Sequence, residues 1–305
     1  MTIPARVTVI IPARDDAPLL AGCLEMVVPQ ARSAGAAVLV VDDASTDATR
    51  SVAESLGAQV LSLPRPGGPY RARNSGWRST SSELLAFTDV RSRPQPGWLN
   101  GLIEAMDNHP DVAIAGGHVR ALSGASLASR VFAHREGLSA AQSMNEQFLP
   151  YLSTCNLITR RTVLESLGGF REARSGGDLD LCWRAQLETG ARLLLTETAT
   201  VEWLPRDSLR ALLRQIYRYG VTRPHLNASF ASAGNPSPAP PTRAHSAYYE
   251  LRQLVRGLRR SPRPEFPGEL VERVWDFVYW EGYRSSWVEL HGPLPKTRPR
   301  RGRDT

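Results

Sequence analysis

Short apolar runs recur through the first 116 positions, each bounded by polar or turn residues. Val7 to Ile11, Ala37 to Val41, Gln59 to Leu63, Glu83 to Thr88 and Val112 to Gly116 have the length and β-branched content of strands. Between them, apolar residues return at helical spacing: Leu19 to Ser33 (broken or kinked near Pro29), Ala48 to Leu56 closed by Gly57, Asn74 to Ser79, and Trp98 to Asn108. Strands alternating with helices predict an α/β fold, a mostly parallel doubly wound sheet flanked by helices. From Gly117 the rhythm loosens. Leu122 to Met144 reads as a helix, Ser153 to Thr159 as a strand, Arg161 to Leu167 as a helix stopped by Gly168-Gly169, and Asp178 to Gly190 as a helix. Asp207 to Tyr219 is an arginine-rich amphipathic helix. Ser232 to Thr242, rich in Pro, Ser, Gly and Ala, reads as a linker. Ala247 to Arg260 and Glu269 to Val288 follow as helices, and Lys296 to Thr305 as a disordered basic tail.

Composition narrows the class. A chain of 305 residues with 42% hydrophobic and 22% charged residues suits an ordinary globular protein. No apolar run approaches the roughly 18 residues of a membrane span, and no charged segment followed by an apolar one marks a secretory signal at the N-terminus. The three cysteines, Cys23, Cys155 and Cys182, are scattered and form no metal-knuckle spacing, which suits a reducing, cytoplasmic location. The net charge of +7 rests almost wholly on arginine, because Lys296 is the only lysine. Basic sites here are therefore planar, bidentate donors suited to phosphate. No nucleic-acid partner is expected.

Candidate chemistry concentrates where strands end. Val38-Leu39-Val40-Val41 runs into Asp42-Asp43-Ala44-Ser45-Thr46-Asp47. One capping residue suffices for a strand-to-helix turn, and ligands of open α/β sheets dock at the carboxyl ends of strands. The polar cluster therefore reads as a ligand site, with a plain helix cap as the alternative. Tyr70-Arg71-Ala72-Arg73-Asn74 opens a helix, and helix N-termini attract anions. Arg71 and Arg73 are placed to add bidentate phosphate contacts; the alternative is a solvated arginine pair.

Eight segments stand in register: Val9-Ile10-Ile11-Pro12, Val41 to Asp47, Gly68 to Gly76, Phe87-Thr88-Asp89, Pro96-Gly97-Trp98-Leu99, Cys155 to Arg161, Gly168-Gly169-Phe170, and Gly177-Asp178-Leu179-Asp180-Leu181-Cys182-Trp183-Arg184. The array, over residues 5 to 220, resembles the family-2 inverting glycosyltransferases of the GT-A fold. The resemblance implies transfer of a sugar from a nucleotide-diphosphate donor, a UDP-sugar foremost, to an acceptor hydroxyl. It places Asp42 and Asp43 on the base, Pro12, Ala13 and Arg14 on its other side, and Arg71, Arg73, Asn74, Asp89 and Arg91 around the rest of the donor. It makes Asp178 the general base, with Asp180 in support. A helix cap is the alternative for Asp178, and a first-turn carboxylate favoured by the helix dipole for Asp180. Trp183 either stacks on a sugar or joins the core.

Two departures bear on a cation. The family ends its fourth strand with Asp-x-Asp to hold Mn or Mg on the diphosphate; here the segment is Asp89-Val90-Arg91. The histidine often found after the catalytic helix is absent from Val201-Glu202-Trp203, and an acidic position before the base is Gly177. Three readings stand open: Asp89 holding a hydrated metal, which the retention of Asp89 favours; Arg91 or Arg93 supplying the charge instead; or a catalytically impaired protein that only binds sugar nucleotides or glycans. A nucleotidyltransferase would want a Gly-rich loop with a lysine after the first strand, and none is present. The expected organisation is a nucleotide-sugar-binding half at 1–116, an acceptor-binding and catalytic half at 117–230, a linker at 231–245, a helical extension at 246–295 and the tail at 296–305. The aromatic C-terminal helices either pack on the catalytic domain or, with the basic tail, contact a membrane peripherally.

Overall fold

The computed structural model describes residues 5–136, 138–173, 175–260 and 266–292. The tail expected at 296–305 lies outside them. The described chain divides into two compact units, 1–209 and 210–305.

The first unit begins with β1 (Val7–Ala13), α1 (Ala17–Ser33), β2 (Ala37–Asp42), α2 (Thr49–Ser55), β3 (Gln59–Ser62), α3 (Pro69–Arg78) and β4 (Leu84–Thr88). It continues through β5 (Ser92–Pro94), α4 (Trp98–Asn108), β6 (Val112–Ala121), α5 (Leu127–His134), α6 (Ala140–Met144), β7 (Asn156–Arg160), α7 (Arg161–Leu167), α8 (Gly177–Thr189) and β8 (Arg192–Trp203). The described strands form one sheet in the order β3-β2-β1-β4-β7-β6-β8-β5. The first four strands are mutually parallel, as expected. The sheet then turns mixed, because β7 runs antiparallel to both β4 and β6.

The alternation of side chains along β1, β2 and β4 separates two cores. Val9, Ile11, Val38, Val40 and Ala86 face α1 and α4, where Leu20, Leu24, Val27, Leu99 and Leu102 cover them. Ile10, Leu39, Val41, Leu85 and Phe87 face the other way, against Tyr70, Ala72 and Trp77 of α3 and Leu181, Cys182 and Ala185 of α8. Strands buried on both faces read as continuous apolar runs, which is why these were legible. Trp183 is fully buried, donates its indole N–H to the Leu149 carbonyl at 2.8 Å and meets Phe148 edge-on. It belongs to the core, not to a sugar platform.

Several elements depart from expectation. Helix α1 runs on through Pro29. The helix expected over 122–144 is two short helices, because Ser126 and Ser139 each accept a backbone N–H and start a new turn. Strand β8 escaped detection because its alternation breaks at Thr196-Glu197-Thr198. There the pairing jumps from Gly117–Thr196 to His118–Thr200. Gly117 is required at this bulge, since a Cβ would overlap the Ala199 carbonyl. Asn156 fills the gap. Its amide donates to the carbonyls of His118 at 2.9 Å and Ala199 at 3.1 Å, and its Oδ1 accepts the Trp98 indole N–H at 2.8 Å.

The second unit carries most of α9 (Leu209–Ser229), then α10 (Arg243–Arg260) and α11 (Phe266–His291). Helices α9 and α11 cross at Gly220 and Gly282, where either Cβ would overlap the other helix's backbone. Buried Arg284 donates to the Pro241 carbonyl and the Ser246 hydroxyl and pairs with Glu281, which pins the segment before α10 to α11.

Asn156→Ala should destabilise the protein by roughly 3 kcal/mol, because it orphans a buried indole N–H and two carbonyls at once. A urea titration followed by tryptophan fluorescence measures it; an unchanged midpoint would show that the bulge is held by other contacts.

Candidate functional site

The chain leaves β1 toward β2 and β3 on one side and returns to β4 on the other, so a topological switch point lies beside β1. The loops at the carboxyl ends of β1, β2 and β4 converge there, as the rule for open sheets requires. They are tied to one another. Asp43 N–H donates to the Ala13 carbonyl at 2.8 Å. Asp15, in the left-handed region with φ 49°, accepts from Thr46 N–H at 2.7 Å, and its own N–H donates to Ser45 Oγ at 3.0 Å. Asp47 accepts from Ala17 and Thr49 N–H. These bonds hold the carboxyls of Asp15 and Asp47 below the usual range, chiefly through Thr46 N–H for the first and the Thr49 hydroxyl for the second.

Asp43 is a clamp. Its two oxygens accept the N–H groups of Gly67 and Gly68, each at 2.8 Å. Gly68 has φ 87°, a conformation that suits glycine, and Pro69 then occupies the first turn of α3. The clamp fixes where α3 begins and therefore where its side chains point. From the first turns of α3, buried Arg73 passes beside the Tyr70 ring, 5.1 Å from its centroid, and its Nη2 donates to Asp89 Oδ1 at 2.5 Å. The Arg73 side chain is 3% exposed and that of Asp89 32%, so the pair opens to solvent on the carboxylate side. Arg73 Nε is buried with no hydrogen-bond partner among the described residues.

Asp178 stands in the first turn of α8, half-buried. Tyr70 OH and Ser153 Oγ approach its two oxygens at 3.4 Å each, and Leu179 N–H donates to it at 3.2 Å. Burial pushes its carboxyl above the usual range, and the positive charge of Arg73 opposes that shift. Gly177 makes the approach possible, since a Cβ there would press into the Tyr70 ring at 2.8 Å. The site thus gathers a buried cation, a carboxylate open to solvent and a second carboxyl of raised proton affinity. That set can hold a polar, anionic ligand and accept a proton next to it.

Residues 8–168, just over half the chain, match the family model described as Glycosyl transferase family 2. The chain belongs to glycosyl transferase family 2. It is 31% identical over 222 residues to the pre-mycofactocin glycosyltransferase of Mycobacterium tuberculosis, a match covering 70% of this chain and 46% of that protein. It is 30% identical over 223 residues to glycosyltransferase AglE of Haloferax volcanii, covering 70% and 71%. The chain therefore spans about half the length of the mycobacterial relative. Among solved structures, the mannosyltransferase PcManGT of Pyrobaculum calidifontis, in complex with GDP-Man and Mn2+, superposes with a TM-score of 0.56 at 20% identity, covering 96% of this chain and 78% of that one. Glucosyl-3-phosphoglycerate synthase of M. tuberculosis, with Mn2+, UDP and phosphoglyceric acid, also gives 0.56 at 20% identity, covering 77% and 81%. The fold is that of the GT-A glycosyltransferases, with a helical C-terminal region.

Within this family-2 chain the expected site residues separate into two groups. Pro12, Ala13, Arg14, Asp42, Arg73, Asp89, Arg91 and Asp178 lie at strand or helix ends around the switch point, and Arg71 lies beside Gly67. Asp42 Oδ1 accepts Ser45 N–H at 2.9 Å. Asp43, at the end of β2, spends one hydrogen bond from each oxygen on the loop N–H groups of Gly67 and Gly68. Asn74 and Asp180 stand behind the site. The Asn74 amide is spent on both backbone groups of Phe170 and on the Trp77 indole, which locks the Gly168-Gly169-Phe170 turn. Asp180 is buried, with one oxygen on Arg171 at 2.9 Å and the other on Arg184 at 2.8 Å; Arg184 in turn holds the Leu167 and Gly169 carbonyls. Both oxygens of Asp180 are thus engaged by arginines. The sequence patterns did not single out Tyr70 or Ser153, whose hydroxyls approach Asp178. Tyr70 carried a signal, an aromatic residue in the first turn of a helix otherwise rich in arginine.

On the protein side, the described donors for a divalent ion are few. Among the described residues no group of three or more His, Cys, Asp or Glu could hold one. The one carboxylate kept from the expected pair, Asp89, is already matched by Arg73. Mn2+ is a property of the two structural neighbours named above.

Asp180→Ala should cost about 3–5 kcal/mol of stability, as removing one partner of a buried ion pair does. Asp178→Asn should unfold at or above the wild-type urea midpoint, because burial already disfavours its charge. Equal destabilisation by both substitutions would sink the division of roles between these two carboxylates.

Proposed function

We propose that this chain is an inverting glycosyltransferase that moves a sugar from a nucleotide-diphosphate donor, a UDP-sugar first, to an acceptor hydroxyl, with Asp178 as general base. The observation that carries this reading is the Asp178 carboxyl. It stands at a helix N-terminus, is raised by burial, and shares Arg73 with the Asp89 end of the donor site. In the transfer, the acceptor oxygen bonds to the anomeric carbon from the face opposite the diphosphate. The bond from that carbon to the diphosphate breaks with its electron pair on phosphate oxygen, and the hydroxyl proton passes to Asp178. The region from 117 to 150 would help to shape the acceptor side. A binding-only protein is the competing reading, and it rests on the altered Asp89-Val90-Arg91 segment.

The sign of the pH dependence follows. Asp178 works ionised, and its proton affinity is raised. Turnover should therefore be full above the raised value and fall as pH drops through it, in a window above the ordinary carboxylate range. Asp178→Asn should lower turnover about 100-fold or more. Donor turnover measured across pH with UDP-glucose and GDP-mannose, together with the anomeric configuration of the product by NMR, tests this. A retained configuration would overturn inversion, and full activity in Asp178→Asn would overturn the base.

A peripheral membrane contact through α10 belongs to the same proposal. No described helix is long and apolar enough to cross a membrane. Yet α10 leaves Tyr248 62% and Leu251 60% exposed, with Tyr249 beside them, and its sequence carries Arg252, Arg256, Arg259 and Arg260. Aromatic and basic residues on one helix suit the headgroup region of an anionic leaflet. The protein would then act at the cytoplasmic side, where its three buried, unbridged cysteines would stay reduced. Flotation with phosphatidylserine vesicles should carry the protein upward, and a Tyr248→Ser/Leu251→Ser variant should stay behind. Equal flotation of both would remove this face from the reading.

A further inference from the structure

The turn after β4 sends two arginines in opposite directions. Arg93 folds back on its own turn: its Nη1 donates to the Val90 and Ser92 carbonyls, and its guanidinium lies where a side chain on Gly22 would stand. Arg91 reaches forward. Its Nη1 donates to the Leu204 carbonyl at 3.3 Å and the Pro205 carbonyl at 3.4 Å, and its carbonyl accepts Leu204 N–H at 2.9 Å. These bonds seat the half-buried Arg91 guanidinium, two residues beyond Asp89, on the segment that leads into Arg206, whose charge acts on it.

We propose that Arg91 and Arg206 bind the donor diphosphate directly and supply the leaving-group charge in place of a carboxylate-held divalent cation. The inference rests on reading this site as a nucleotide-sugar site. Asp89 cannot take that part, since its charge is matched by Arg73 at 2.5 Å. The groups facing Arg91 are Arg206, Asp16, Asp207 and Asp89. Burial first, and then Arg206, hold Arg91 below the ordinary arginine range despite the three carboxylates. A diphosphate oxygen between two guanidiniums would relieve both the burial and the repulsion, with bidentate geometry that a point charge lacks. Asp16 is raised by burial and drawn down by the charges of Arg91 and Arg206. As the bond to the anomeric carbon breaks, the extra negative charge gathers on phosphate oxygens, where fixed cations stabilise it.

The test is calorimetric titration of the full chain with UDP and GDP, each in EDTA and again with Mn2+. Binding should persist in EDTA. Arg91→Ala and Arg206→Ala should each weaken diphosphate binding about tenfold or more, in line with the loss of a charge-assisted hydrogen bond. UMP and GMP should lose less, since they lack the second phosphate. Arg91→Asp should make binding respond to Mn2+, by restoring a second carboxylate. Arg206→Ala carries the test even if Arg91→Ala unfolds through loss of its carbonyl contacts; its melting temperature is the check. Binding that requires Mn2+ and ignores Arg206→Ala would overturn the arginine site and leave the donor reading standing. Binding of neither UDP nor GDP, with or without Mn2+, would overturn the donor reading and this inference with it.

Discussion

The Arg73 guanidinium puts a full positive charge inside the first unit, and the arrangement around it answers that charge. An unmatched buried cation is costly, so the fold must bring a partner to it. Asp89 does so from the end of β4, and the Tyr70 ring lies alongside. The planar fork allows both contacts at once, which a lysine would not reproduce. Arg73 ties the start of α3 to the end of β4, and Tyr70 of the same turn reaches the start of α8 through Asp178. The Asp43 clamp on Gly67 and Gly68 sets α3 in place, and Gly177 lets α8 close on Tyr70.

The remainder of the first unit supports this geometry through buried polar residues more than through extra apolar packing. Asn156 bridges the irregularity between β6 and β8, and Asn74 and Arg184 hold the Gly168-Gly169-Phe170 turn from two sides. Each is nearly fully buried with its polar atoms satisfied. Such residues add less net stability than their hydrogen bonds suggest, but they disfavour alternative registers, because any slip would strand a buried polar group.

What was legible in the sequence follows from this division. Apolar strands covered on both faces announce themselves, so β1, β2 and β4 and the helices α4 and α7 fall close to where the pattern puts them. Strand β8 did not, because its polar bulge hides the alternation, and β5 is too short to carry a pattern. The two serine caps that split 122–144 were visible as residues, but an apolar stretch obscured them. For the site, position at strand ends was legible and side-chain role was not. Asn74, Asp43 and Asp180 sit in motifs beside other candidate site residues, and their polar atoms engage backbone groups, an indole or arginines. Spacing alone cannot distinguish a side chain that faces a ligand from its neighbour that holds the loop.

The shared position of Arg73 also couples the two halves of the proposed reaction. Arg73 draws down the proton affinity of Asp178 from one side while it matches Asp89 on the other. In a partly buried site such charges interact over several ångströms with little screening. A diphosphate arriving beside Asp89 adds negative charge on the far side of Arg73, which weakens the hold of Arg73 on Asp178. On the proposed mechanism, the carboxylate would then be the stronger base with the donor present and the weaker one without it. Tyr70 contacts both Arg73 and Asp178, with its ring beside the first and its hydroxyl toward the second. An arginine-held leaving group fits this arrangement. A divalent ion in the same place would neutralise the diphosphate more completely and return Asp178 to the full influence of Arg73.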